Sequence, residues 1–270
     1  MKRYLKITKQ VGETPLQALE RARDTYKLPK NLPIAYAGRL DPMASGTLLL
    51  LLGDECKKQT LYHGLDKKYS FSVVFGVQSD TQDVLGKVTT TPVPESITKK
   101  TIKEVISSCR GYVSLPYPHY SSKTVKGKPL HTWTLEGKIE SISIPIKKSI
   151  IHSIYTDRIG TISGQELFTH ATNSINLLPT VTDPKKALGR DFRRSEILED
   201  WDTFLKSQKE TAFYIADIHC IASSGTYMRS LANHIAEKVG TSGIALSINR
   251  TRIGTYKGIY KNLGIWLKTI

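Results

Sequence analysis

The chain has 270 residues, 39% of them hydrophobic and 23% charged, enough to bury the core of one large domain or two small ones. Its 39 Lys and Arg against 24 Asp and Glu give a formal net charge of +15, so the first partner to consider is a polyanion, nucleic acid ahead of an anionic membrane. Cys56, Cys109 and Cys220 are widely spaced and form no CxxC pair, which argues against a disulfide framework or a zinc site and for a reducing cytoplasm. MKRYLKITKQ at the N-terminus lacks an apolar segment, so no secretory leader is expected, and the longest apolar run, residues 48–52, is far too short to span a bilayer.

Residues 4–8 read as a strand, followed by a turn at Gly12 and a helix. Thr14-Pro15-Leu16-Gln17 is a capping box with proline at the first helical position, and Leu16, Leu19 and Tyr26 fall on one predicted apolar face. The leucines of residues 48–52 predict a strand buried on both faces, and Tyr69, Phe71, Val73, Phe75 and Val77 alternate as a strand with one face on a core. Thr101 and Glu104 suggest a second capping box for a helix with Ile102, Val105, Ile106 and Cys109 on its apolar face, ended by Gly111. Residues 115–138 are rich in Pro, Gly, Ser, Lys and aromatics without periodicity, and read as a long exposed excursion. Strand pattern returns at Ile142, Ile144 and Ile146 and runs to Tyr155. Within the less regular residues 157–211, an amphipathic helix carries Ile197, Leu198, Trp201, Phe204 and Leu205 behind the basic cluster Arg190, Arg193 and Arg194. A strand, a Ser/Gly turn and a helix closed by Gly240 follow, then a short strand at residues 244–248 and a basic tail. Strands outnumber helices and follow one another as hairpins, which predicts a mixed α+β domain.

Arg39-Leu40-Asp41-Pro42 sits just before the leucine strand. Asp41 reads either as a turn or helix N-cap residue ahead of Pro42, or as a reactive carboxylate held on a loop by a rigid strand. A carboxylate in a partly apolar pocket needs a cation beside it to stay charged. Arg39 offers one locally; Arg229 offers another at the first turn of a helix, where Gly225 permits a tight turn and the helix N-terminus favours anions. Tyr69 reads first as a core aromatic. His219 and Cys220 are adjacent in a strand and point to opposite faces, so they cannot form a nucleophile–base pair. His119 and His131 lack metal-ligand spacing, and no P-loop or dinucleotide fingerprint appears, so neither a metal nor a nucleotide cofactor is expected.

Four segments resemble the TruB family of tRNA pseudouridine synthases in the family's order: AGRLDPMASGTLLLLLGDECKK, LDKKYSFSVVFGVQSDTQDVLG, PYPHYSSKTVKGKPL and CIASSGTYMRSLANHIAEKVG. The resemblance implies an enzyme that isomerises a uridine in the TΨC loop of tRNA, breaking the C1′–N1 bond and rejoining the base through C5, without metal or cofactor. It implies a largely antiparallel central sheet of the pseudouridine synthase type flanked by helices. Asp41 would be the nucleophile, Arg229 its ion-pair partner, Tyr69 the ring that stacks on the target uracil, and Ile248 the apolar residue beside the pocket. RNA contacts are expected from Lys9, Tyr36, Arg39, Lys68, Tyr120, Lys123, Lys126, Lys128 and Tyr227, with residues 115–138 closing over the tRNA arm and Ala44, Ser45 and Gly46 leaving room for RNA. The resemblance further implies a cytoplasmic monomer made of a single catalytic domain over residues 1–270, bound to the T-arm without the C-terminal RNA-binding (PUA) domain that many relatives append. Tyr36 stands where the family has His, Lys9-Gln10 where it has Lys-Pro, and Arg39 leans toward the RluA-type signature; residues 157–211 have no counterpart. Two alternatives accompany this reading: an RluA-like synthase acting on rRNA, and a non-catalytic tRNA-binding or folding protein on the same scaffold.

Overall fold

The structure is a computed structural model that describes residues 3–181, 191–260 and 262–270. The unbroken leucine run is explained by its neighbours. β3 (Ala44–Leu52) pairs along one edge with β1 (Tyr4–Lys9) and along the other with β2 (Ile34–Ala37) and, for three residue pairs, with β12 (Gly243–Tyr260). Leu48, Leu50 and Leu52 pack beneath α1 (Pro15–Thr25) with Leu5 and Leu19, while Leu49 and Leu51 meet Ile253 and Ile270 on the opposite face. A strand covered on both faces has no polar positions to alternate with.

Among the described residues, nine strands form one sheet. After β1, β3 and β12 come β4 (Asp66–Phe75), β11 (Ala212–Ala222), β10 (Ile146–Ser163) and β7 (Gly111–Pro116), with β13 (Leu263–Thr269) pairing β12 and β2 pairing β3. The β3–β12 seam is parallel and every other pairing in this sheet is antiparallel, so the expected mixed, largely antiparallel α+β fold is the one observed. α3 (Lys99–Ser108) and α7 (Met228–Val239) cover one face, enclosing Tyr69, Phe71, Val73, Ile218, Cys220 and Ile248. α5 (Gly164–Asn176) and α6 (Arg194–Gln208) cover part of the other, around the fully buried Trp201.

Several sequence expectations need correction. Thr14 caps α1 with Gln17 as predicted, but Leu16 and Tyr26 are exposed; Ala18, Leu19 and Ala22 face the sheet, because small residues let the helix lie close to the strands. α3 starts one turn before the predicted box: Thr98, whose backbone is extended, is the N-cap, and Thr101 is already helical and answers it from the third position. The alternating strand stops at Phe75; Gly76, with φ of +85°, breaks it before β5 (Val77–Ser79), which pairs with β6 (Val88–Thr90) and frames the loop between them.

Residues 115–138 are structured. They hold the end of β7, a hairpin of β8 (Thr124–Val125) and β9 (Lys128–Pro129) turned at Lys126 and Gly127, and α4 (Leu130–Leu135) on a fully buried Leu130. Elements this short leave no periodicity to read. Ile142 and Ile144 precede β10, which begins at Ile146 and continues past Tyr155 to Ser163. Its pairing with β11 runs to Ser163↔Ala212, so the insertion of unknown role occupies the loop of a β-hairpin expanded into two helices. Their ends meet at Gly164, where a Cβ would lie 1.9 Å from the Gln208 carbonyl oxygen. Ile197, Trp201 and Phe204 are buried as predicted, and Arg190 lies outside the described residues. The short strand expected at residues 244–248 is the first third of β12, and the basic tail is its extension together with β13.

Candidate active site

Asp41 lies on the loop between β2 and β3, in a turn closed by Ala44 N donating to Asp41 O at 3.0 Å; no helix follows it, so the N-cap alternative is ruled out. Two buried cations hold this loop by its carbonyls. Arg250 donates to Gly38 O at 3.0 Å, Arg39 O at 3.2 Å and Thr47 O at 2.8 Å. Lys9 donates to Gln10 O at 2.7 Å, Pro42 O at 3.3 Å and Ala44 O at 2.6 Å. Each bond satisfies a main-chain acceptor and fixes the loop without engaging the Asp41 carboxylate. Gly46, with φ of +104°, makes room for β12 rather than for RNA: a Cβ there would lie 2.3 Å from the Arg250 carbonyl oxygen.

The carboxylate faces Arg229. Nε of Arg229 donates to Asp41 Oδ2 at 2.8 Å, and the two side chains are 3% and 34% exposed respectively, so a buried guanidinium presents a carboxylate that remains open to solvent. Arg229 is itself fixed by donation to Thr81 O at 2.8 Å and Tyr120 O at 3.3 Å, with Asp83 Oδ2 at 3.5 Å. Burial works against the charge on Arg229, but Asp41 and Asp83 outweigh it and raise its pKa. Asp83 is pushed up by burial, a rise that Arg229 and the Thr81 hydroxyl moderate. The group is an Asp–Arg–Asp array with one end buried and one end open.

Tyr69 is buried on the same sheet face as Ile248; it pairs across the strands with Arg250, which also reaches its hydroxyl. Burial raises its pKa, and Asp41 adds to the rise. Tyr227, at the N-cap of α7, packs edge-on to Tyr117 at 5.5 Å, and burial with the nearby Asp41 charge pushes its hydroxyl up to about 12. Lys123 lies 5.4 Å from the Tyr117 ring centre and continues this row outward. The fold thus gathers Asp41, Arg229, Tyr69, Tyr227 and Ile248, with Tyr120 contributing its carbonyl.

Other predicted contacts fall elsewhere. Lys9 is buried beneath the loop and is a clamp rather than an RNA contact. Tyr36 sits on β2, half-buried against the Leu5–Leu50 cluster. Arg39 is exposed, its carbonyl held by Arg250 and its charge felt at Tyr227. Lys68 is half-buried on β4, Lys126 is exposed at the hairpin tip, and Lys128 is paired to Glu136 at 2.6 Å over the Trp133 ring. Cys220 and His219 take opposite faces as expected, with His219 Nδ1 2.8 Å from Ser70 Oγ. Among the described residues no three His, Cys, Asp or Glu side chains gather into a metal site, and no helix is long and apolar enough to cross a membrane.

Asp83, Arg250 and Lys67 were missed. Arg250 had a short signal: it shares the parity of Ile248, which places a cation on the core side, although a bulge after Ala245 turns Ile244 and Leu246 to the opposite face. Lys67 donates to His63 O at 2.8 Å and is within 3.4 Å of Ser224 Oγ; burial and the neighbouring Arg250 push its ammonium down to about 7. An unfolded lysine titrates near 10.5, so between about pH 7 and 10.5 the unfolded chain binds more protons here and stability rises with pH. In Lys67→Met this dependence should flatten by up to one proton, about 1.4 kcal/mol per pH unit, read from urea midpoints across that window.

The chain is 29% identical over 256 residues to a tRNA pseudouridine synthase B of Caldicellulosiruptor saccharolyticus, covering 95% of this chain and 69% of the relative. It is 28% identical over 249 residues to the Aquifex aeolicus protein of the same name, covering 92% and 67%. A chain of a solved Cbf5-Nop10-Gar1 complex shares the fold, with a TM-score of 0.53 at 15% identity over 93% of this chain. The protein spans about half the length of that solved chain (48%). The profile of TruB family pseudouridylate synthases (N-terminal domain) matches residues 26–170, which carry Asp41, Tyr69, Asp83 and Tyr120. With that match over more than half its length, the chain belongs to the TruB family of pseudouridylate synthases.

Proposed function

We propose that this protein converts a uridine in the T-arm of tRNA to pseudouridine, with Asp41 as the nucleophile. The observation that carries the reading is the Asp41–Arg229 pair, an accessible carboxylate held 2.8 Å from a buried guanidinium. RNA binding alone gives no reason to aim an anion at a polyanionic partner. In the reaction the C1′–N1 bond breaks, the uracil turns, a C5–C1′ bond forms, the C5 proton leaves to solvent and N1 takes up a proton in its place. A carboxylate that adds covalently, at the ribose C1′ or at the uracil C6, divides this change into two easier steps. The uridine must first leave its stack, costing a few kcal/mol by general experience, which contact with the Tyr69 ring and Ile248 offsets. Lys123 and the Tyr117–Tyr227 pair flank the opening and supply a cation and ring faces for a single-stranded loop. The relatives' names, both tRNA pseudouridine synthase B, support tRNA as the substrate.

The test is tritium release from C5-labelled uridine in a T-arm hairpin, with an rRNA hairpin as comparator. Release from the T-arm hairpin alone is expected. Release from the rRNA hairpin alone would move the protein to an RluA-type target, and release from neither would remove the enzymatic reading.

A further inference from the structure

The two helices inserted between β10 and β11 reach the segments around Arg229 through Arg193. Its Nη1 donates to Asp80 Oδ2 at 2.6 Å and its Nη2 to Asp80 Oδ1 at 3.3 Å, a bidentate fork. The same guanidinium lies 4.4 Å from the Tyr120 ring centre, and the residue is only 9% exposed. Asp80 and Tyr120 are not arbitrary neighbours. Thr81, next in the chain after Asp80, gives its carbonyl to Arg229 Nη1, and Tyr120 gives its own carbonyl to Arg229 Nη2. Arg193 therefore grips, by their side chains, the two backbone segments that fix the far end of Arg229.

The insertion is built to present Arg193 rigidly. Arg193 has φ of +58° at the start of α6, a conformation that a residue with a Cβ keeps only where its surroundings enforce it. The next residue, Arg194, ties α6 to the end of α5 by donating to Ile175 O at 2.5 Å and Leu178 O at 3.0 Å, and to Asp191 Oδ2 at 2.9 Å. A second link crosses to the same loop: Lys87 pairs with Glu196 of α6 at 3.0 Å, and the Lys87 amide donates to Asp80 Oδ1 at 3.0 Å. Trp201, fully buried against the sheet, anchors the platform.

We propose that Arg193 is a positioning residue for the reaction, acting through Asp80 and Tyr120 to hold Arg229 in register with Asp41, and that the insertion exists in part to supply it. The proposal rests on the functional reading above. It places Arg193 outside the reacting atoms and outside the RNA contact surface, so its loss should slow chemistry without weakening RNA binding.

Arg193→Met keeps the stem over Tyr120 and removes the fork. Single-turnover tritium release from the T-arm hairpin at saturating protein should fall about tenfold, with the hairpin Kd unchanged within about twofold. Asp80→Asn should produce a similar loss, and the Arg193→Met/Asp80→Asn pair should be no more than about twofold slower than the slower single variant, because both act on one contact. Arg193→Lys, which keeps the charge but not the bidentate plane, should recover only part of the rate, and it replaces the Met variant if that protein fails to fold. A wild-type rate in Arg193→Met, a loss confined to Kd, or losses that multiply in the double variant would each overturn the proposal. If the unsubstituted protein turns over neither the T-arm nor the rRNA hairpin, the functional reading falls and the proposal falls with it; turnover that is indifferent to Arg193 overturns the proposal alone.

Discussion

Asp41→Asn is expected to abolish pseudouridine formation while the protein still binds the T-arm hairpin. Asparagine has the same shape and can still accept from Arg229 Nε, now 2.8 Å from the carboxylate, but it cannot form the covalent adduct. Losing a nucleophile outright lowers the rate by a factor on the order of 10⁴ or more. The sign of the binding effect is equally informative. One negative charge is removed from the surface proposed to meet RNA, so RNA affinity should stay the same or rise slightly. The fold should tolerate the change, because Asp83 still lies 3.5 Å from Arg229 and neutralises it. Tritium release and filter binding on one preparation check all of this. A variant that keeps more than about a tenth of the wild-type rate would remove Asp41 from the nucleophile's role.

Arg229→Met should damage both activity and stability. It leaves Asp83 buried with no cation, and breaking a buried pair in this way costs about 3–5 kcal/mol. The Thr81 and Tyr120 carbonyls lose their donor as well. The pH dependence has a definite sign. Burial already raises the Asp83 pKa above its ordinary 3.8, and removing Arg229 takes away the largest influence that lowers it. A carboxyl raised in the folded state binds protons that the unfolded chain does not, so stability at this group rises as the pH falls from neutral, and more steeply in the variant than in the wild type. The double variant Arg229→Met/Asp83→Asn should recover much of that stability at neutral pH and none of the activity. Turnover in Arg229→Met should drop by about 10²–10³, since one fixed cation beside the proposed nucleophile is lost. Wild-type urea midpoints at neutral pH would show that the array contributes nothing to the fold.

Much of this was visible in the order of residues. The leucines before Gly53 are buried on both faces, as an apolar run without polar alternation requires. The alternation from Tyr69 to Phe75 put Tyr69 on the core side, and the turn before Met228 put Arg229 at a helix start. What failed was local and short. The β8–β9 hairpin and α4 are too brief to carry a period, and the capping box at residues 98–101 was displaced by a threonine that fits either frame. Lys9, which the family resemblance marks as an RNA contact, is buried; only the chain folded around it shows three carbonyls waiting for its ammonium.

The sequence by itself determined the class of fold and the central strands, because hydrophobic period and turn chemistry act over a few neighbouring residues; it offered Asp41 two cations, Arg39 and Arg229, and only the family resemblance favoured Arg229. Tertiary structure alone decided the rest. Asp41 and Arg229 are 188 positions apart in the chain, and Asp83 and the carbonyls of Thr81 and Tyr120 complete their array from two further segments. Arg250 and Lys9 lock the loop from opposite ends of the chain, and Arg193 reaches in from a hairpin loop grown into two helices. Long-range hydrogen bonds between charged side chains and main-chain carbonyls leave no period in the sequence, since any segment can offer a carbonyl and only packing decides which one a buried cation meets.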